Sequence, residues 1–367
     1  MFCIRALIQR ARRQERGQVF IMVVLLLAVL GGMTAVAVDL GSYSADRRDL
    51  QNAADAIALA ASQELPDEGA AQDVAEGWAT KNGIDTENMT LTFTQQSLPN
   101  EPNPKVKVDL EEEHDFVFAR LVGVTSAEVG AKATAIRTSA SGGSGMVPLS
   151  VPMETLNGAG LGDEVVLKYD ANNITTGNTS PIRIDSGGTG NCTTSDAYCD
   201  GVRYGSDTVI CAAGTEGTYC DGPTTVDTQT GNLVGGTRTA LDDRLELTDS
   251  HCDEFTEVFE DDPNSDEEGY YRITNDCNPF IPGGYASYRV LIVPVIDELC
   301  NGSCEVTIVD FALFFLEGYG GTGNSQQGCI GNDCEIIGRF VRANQNIGLL
   351  AGTFDPESAN SFVRLVE

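Results

Sequence analysis

Twenty consecutive residues without a charge, Val19–Val38 (VFIMVVLLLAVLGGMTAVAV), constrain this chain more than any other feature. As a helix rising 1.5 Å per residue, they span roughly 30 Å, the thickness of a bilayer core. Residues 1–18 hold five arginines (Arg5, Arg10, Arg12, Arg13 and Arg16) against Glu15, a basic tip on a chain whose net charge is −31. Asp39 closes the other flank. Positive residues stay on the cytoplasmic side of a span, so the reading is a single-pass protein of the cell membrane. Residues 1–18 are cytoplasmic, residues 19–38 cross the lipid, and the bulk lies outside. The competing reading is a cleaved signal peptide, for which Ala35 and Ala37 supply small-x-small spacing. Signal peptides carry shorter apolar regions, so the expectation is a retained anchor.

Charge and cysteines agree with that topology. A net charge of −31 argues against nucleic acid as a partner, because binding it needs a basic face. Membrane lipid, met through residues 19–38, is the expected one. Cys3 falls on the cytoplasmic side. The other ten cysteines, Cys192, Cys199, Cys211, Cys220, Cys252, Cys277, Cys300, Cys304, Cys329 and Cys334, form an even set on the oxidising side. They read as disulfides between neighbours, although ten cysteines allow many connectivities. A four-thiolate zinc site from Cys300, Cys304, Cys329 and Cys334 is the alternative.

Directly after the apolar run, DRRDLQNAADAIALAASQEL (46–65) lacks Gly and Pro and is rich in alanine, the best helix former. Leu50, Ala54, Ile57, Ala58, Ala61 and Leu65 fall on one face at helical spacing, and Pro66 stops the helix. The membrane helix therefore continues outward as a packing helix. Its small-residue face (Leu50, Ala54, Ile57 and Ala61 above all) lets another element approach its backbone. A helix half in the membrane and half in a domain is the plan of pilin-like proteins.

These residues carry a resemblance. Arg16, Gly17 and Gln18 before the apolar run, Asp39 and Gly41 after it, and then Leu50–Ala56 and Ala58–Ala60 resemble the N-terminal segment of TadE/TadG-like Flp pilus-assembly proteins. YRVLIVPVID (288–297), VTIVDFALFFLEGY (306–319), IIGRFV (336–341), VRLVE at the C-terminus and GNLVGGTRTALDDRL (231–245) resemble, more weakly, later parts of TadG-like proteins. The resemblance implies a role in building or anchoring a thin adhesive pilus, with pilins or other assembly proteins as partners. Two motifs depart from it. Prepilin-peptidase substrates carry Glu five residues after the cleavage glycine, and here, counted from Gly17, that position is Met22. The metal motif of von Willebrand A-type domains, present in some relatives, would need two serines where Asp39-Leu40-Gly41-Ser42-Tyr43 has Gly41 and Tyr43.

The rest reads as α+β. GAAQDVAEGWATKNG (69–83) is helical, with Val74 and Trp78 expected inside. MTLTFTQQ and KVKVDLE alternate as half-buried strands, DFVFARLVG reads as a short helix with Asp115 as its cap, and SAEVGAKATAIRT returns to strand. An antiparallel sheet packed on the 47–65 helix would give residues 39–138 a pilin-like α+β domain. SASGGSG (139–145) reads as a flexible linker. Residues 146–367 read as a β-rich, disulfide-containing extracytoplasmic domain whose one good helix is TALDDRLEL.

Catalytic motifs are not found. His114 and His251 are the only histidines, and neither lies in a recognisable motif. SGGSG is not a nucleophile elbow, since Met146 takes the last position. Asp262, Asn264, Asp266 and Glu268 have the alternating spacing of calcium ligands, but Glu267 and Ile273 stand where an EF-hand loop needs Gly and Glu. A solvated acidic loop is the plainer reading. The expectation is a non-enzymatic, cofactor-free, membrane-anchored accessory or anchoring component of a Tad (Flp) pilus apparatus. Its alternatives are a minor pilin or adhesin within the filament, and a tethered hydrolase or calcium-dependent binding domain.

Overall fold

The structure, a computed structural model, describes residues 3–95, 103–169, 180–185, 190, 192, 196–215, 219–229, 231, 233–261, 270–279, 287–320, 334–343, 347–356 and 358–366. The Asp262, Asn264, Asp266 and Glu268 quartet and Cys329 lie outside the described residues. The α+β reading stands: one long helix, two sheets that are mainly antiparallel, and disulfides in the β-rich part.

Helix α1 is uninterrupted from Cys3 to Gln63, about 90 Å at 1.5 Å per residue. Its first described half projects alone, with Val19–Leu30 lipid-ready and exposed. Its second half is a core element. Leu50, Ala53, Ala54, Ile57, Ala58 and Ala61 are buried against helix α2 (Glu68–Lys81) and a sheet of β1 (Met89–Thr94), β2 (Lys105–Asp115) and β3 (Ser126–Gly143).

The reason for alanine is visible in the register. Val106, Val108 and Leu110 of β2 stand opposite Ala135, Ala133 and Ala131 of β3. Large residues therefore fill one strand while α1 lies against small ones on the next. The helix and β3 run side by side in the same direction. Tyr43 reaches the Glu128 carbonyl, Gln51 the Lys132 carbonyl, and the Leu65 carbonyl accepts from Arg137. The lengths match, since 22 helical residues and nine strand residues each cover about 30 Å. Helix α2 uses the same principle. Ala71, Ala75 and Ala79 face inward, and Val74 and Trp78, expected there, are only half-buried because α1 leaves no room for them.

Residues 139–143 are not a linker. They continue β3, buried, beyond the first core. Residues 140–143 of β3 pair with Ile210–Cys211 and Leu350–Ala351, and residues 135–139 pair with the last strand, Ser361–Leu365. Glycine here serves proximity rather than flexibility: a Cβ on Gly142 would lie 2.4 Å from Cys220 Sγ and 2.5 Å from the Ile210 carbonyl. The division into 39–138 and 146–367 is corrected accordingly, because the first sheet is completed by the C-terminal strand.

The second sheet is built on β4 (Val290–Ile296), β5 (Glu305–Gly320) and β6 (Glu335–Ala343). VLIVPVI and FALFFL are continuous apolar runs because both faces are covered. Ile292, Ile296, Phe311, Leu313 and Phe315 enter one core; Leu291, Val293, Val295, Phe314 and Leu316 enter the other. Ala140 and Phe362 belong to the first of these, so β3 joins both halves of the folded body.

If the small face of α1 sets its distance from β3, Ala58→Leu overpacks it and costs about 1–3 kcal/mol in chemical denaturation followed by Trp78 fluorescence. Ala45→Leu, on the exposed face, stays within about 0.5 kcal/mol of the unsubstituted protein.

Candidate functional site at the helix exit

The side chains that differ most from simple packing gather where α1 leaves the apolar run. Asp39 is buried there. Its carboxylate accepts from the backbone N–H groups of Val117 (3.1 Å), Phe118 (3.1 Å) and Ala119 (2.6 Å). These belong to the β2–β3 hairpin, whose tip forms a short 3₁₀ turn, Ala119–Val122. The expected cap, Asp115, instead pairs with Arg120 at 2.7 Å. Free N–H groups at the start of a turn need an acceptor, and a residue on another element supplies it.

One turn further along α1, His114 is buried between Tyr43 and Phe116. Its Nδ1 lies 2.5 Å from Asp46 and its Nε2 3.3 Å from the Ser42 hydroxyl. Ser, His and Asp thus stand in the order of a hydrolytic triad, which the sequence did not reveal. The setting does not complete one. The Ser42 hydroxyl also lies 3.0 Å from the Asp39 carbonyl, Ser42 sits inside a helix whose N–H groups are already bonded, and Asp39 occupies the hairpin donors. The hairpin N–H groups nearest the cluster are thus already bonded to Asp39 rather than held ready for an oxyanion. The cluster works as a pin that holds α1 to the hairpin.

Beside the pin lies an apolar groove of about 480 Å³. Gly32, Ala35, Val36 and Leu40 form its α1 wall, and Phe116, Phe118 and Leu121 form the other.

The remaining candidates are structural. Leu50, Ala54, Ile57 and Ala61 lie together in the core described above. Disulfides join Cys192–Cys199, Cys211–Cys220, Cys252–Cys277 and Cys300–Cys304, the neighbour pairs, and Cys334 is also disulfide-bonded. These sulfurs are not free thiolates for zinc, and Cys252 is no nucleophile for His251, which is exposed beside Asp249. Among the described residues no group of three or more His, Cys, Asp or Glu is placed to hold a metal.

The 231–245 motif acquires a packing reason. In helix Val234–Glu246, a Cβ on Gly236 would meet the Gly190 carbonyl, Thr237 bonds buried Tyr198, and buried Arg244 donates to the Val202, Tyr288 and Val290 carbonyls. Burial lowers Arg244 to about 10, still charged at neutral pH.

A second cavity, about 360 Å³, is lined by Asp310 and residues 353–356. Asp310 is buried and accepts from Phe311 N, Ser358 Oγ and Ala359 N, which ties β5 to the start of the last strand. Burial pushes its carboxyl up to about 6 despite those bonds. A raised carboxylate pKa stabilises the fold fully below the unfolded value near 3.8, and that contribution is lost as pH rises through about 6. The stability difference between the unsubstituted protein and Asp310→Asn should therefore grow by about 2–3 kcal/mol from pH 7 to pH 4, read by denaturant titration. A difference independent of pH contradicts the assignment.

Residues 17–73 match the family model described as putative Flp pilus-assembly TadE/G-like. No curated protein and no solved structure matches the chain. The match begins before the apolar run and ends within α2, covering the membrane-length helix, the Asp39 exit and the alanine face. The likeness to the TadE/G-like Flp pilus-assembly family is thus carried by residues 17–73.

Proposed function

We propose that this protein is a membrane-anchored, non-enzymatic accessory or anchoring component of a Tad (Flp) pilus apparatus. The observation that carries the reading is the unbroken α1: one helix is apolar and bare over a bilayer's length and then becomes the core of a folded body. A helix shared in this way transmits force between membrane and ectodomain without a flexible joint. The basic tip faces the cytoplasm and the acidic, disulfide-bonded body lies outside, where thiols oxidise. Partners are pilins or other assembly proteins, and the role uses no cofactor.

The second reading, a minor pilin within the filament, is favoured by the alanine-rich half of α1, which has the plan of a pilin helix. Met22 at the position of the processing glutamate weighs against it. Mass spectrometry of washed membranes and sheared surface filaments separates the two. Recovery in membranes with residues 1–17 intact is expected. Recovery in filaments with Gln18 as the first residue would overturn the anchoring role.

A further inference from the structure

We propose that the β2–β3 hairpin tip is a second membrane contact, inserted among the acyl chains of the leaflet on the ectodomain side, with those chains filling the groove beside α1. The inference rests on α1 spanning a bilayer.

The argument is one of depth. The hairpin residues Phe116, Phe118 and Leu121 share a groove with Gly32, Ala35 and Val36. Gly32 lies six residues inside the end of the apolar run, about 9 Å along the helix axis. Whatever surrounds Gly32 to Val36 also surrounds the hairpin tip. If the helix there is in hydrocarbon, so is the tip.

The side chains suit that place. Leu121 is 85% exposed, Val117 65%, Val124 48% and Phe118 39%. Four large apolar groups are exposed within eight residues, and two of them, Phe118 and Leu121, line the groove with exposed Val36 and Leu40 of the helix. Elsewhere in the described body, the exposed large apolar groups are Tyr204, Leu247, Leu350 and the adjacent pair Leu365 and Val366, of which no more than two are neighbours in the chain.

Asp39 fits the same picture. A carboxylate at the edge of hydrocarbon is costly unless its oxygens are satisfied. Here the hairpin's own N–H groups satisfy them and cover the residue. Arg120 and Asp115 pair at the hairpin's flank, where long polar side chains can reach water. The acidic body is repelled by anionic headgroups, so the contact is with acyl chains rather than headgroup charge.

The test uses the full chain in phosphatidylcholine vesicles with and without acyl-chain-brominated phosphatidylcholine. Tryptophan is placed at Leu121→Trp, at Met22→Trp inside the run, and at Leu247→Trp on the distant body. The signal of Trp78, the one native tryptophan, is measured in the unsubstituted protein and subtracted. The expected result is that the Leu121→Trp and Met22→Trp probes lose most of their emission to bromine and resist aqueous acrylamide, with the reverse at Leu247→Trp. Quenching of the Leu121→Trp probe by acrylamide alone, with Met22→Trp still quenched by lipid, overturns the insertion and leaves the anchor standing. Shielding of the Leu121→Trp probe from both quenchers would place protein, not lipid, in the groove and also overturns it. If the Met22→Trp probe itself escapes the brominated lipid, the membrane span fails and the insertion with it.

Discussion

The carboxylate of Asp39 fixes where the body of this protein sits. It lies where the apolar run ends, and it bonds a hairpin whose strands run the length of the first sheet. Because α1 continues unbroken into the core, the clasp and the buried face of α1 together fix the rotation of the folded body about the helix. The pin of Ser42, His114 and Asp46 adds a second point of attachment one turn on. Two fixed points on a rigid helix leave little freedom to tilt.

From there, close approach governs the assembly. Alanines on α1, α2 and β3 let three elements share one thin core, while valine and leucine on β2 fill the space between them. The eighteen-residue β3 then carries this order into the second half. Its end is crowded by glycine-permitted contacts with Cys220 and Leu349, and the last strand returns to pair beside it. Asp310 anchors that return by binding Ser358 and Ala359. The second half of the body is thus joined to α1 through paired strands rather than through a linker.

Much of this was legible in the sequence because it is local. The apolar run, the 50-54-57-61 face, the alternating strands and the neighbour disulfides depend on residues close together in the chain. What the sequence does not show is decided by contacts between distant segments. SASGGSG has linker composition, and only contacts from Cys220 and Leu349 show why glycine is needed in a buried strand. Asp115 looked like the hairpin's cap, yet the acceptor comes from Asp39, nearly eighty residues earlier. Ser42, His114 and Asp46 carried no motif because the fold alone brings them together. The family likeness, carried by residues 17–73, was readable for the same reason that the helix was: it lies in one contiguous stretch.

The most direct test of the clasp is hydrogen exchange at the Val117, Phe118 and Ala119 amides in the reconstituted full chain, with and without Asp39→Ala. The Phe116 amide, bonded to the Thr125 carbonyl, and the core amides of β2 serve as references. The clasp predicts slow exchange at all three amides in the unsubstituted protein. In Asp39→Ala they should reach the rates of open loops while the β2 references stay slow. Equal exchange at the three amides in both proteins would contradict it and leave α1 held to the body by its alanine-rich core face alone.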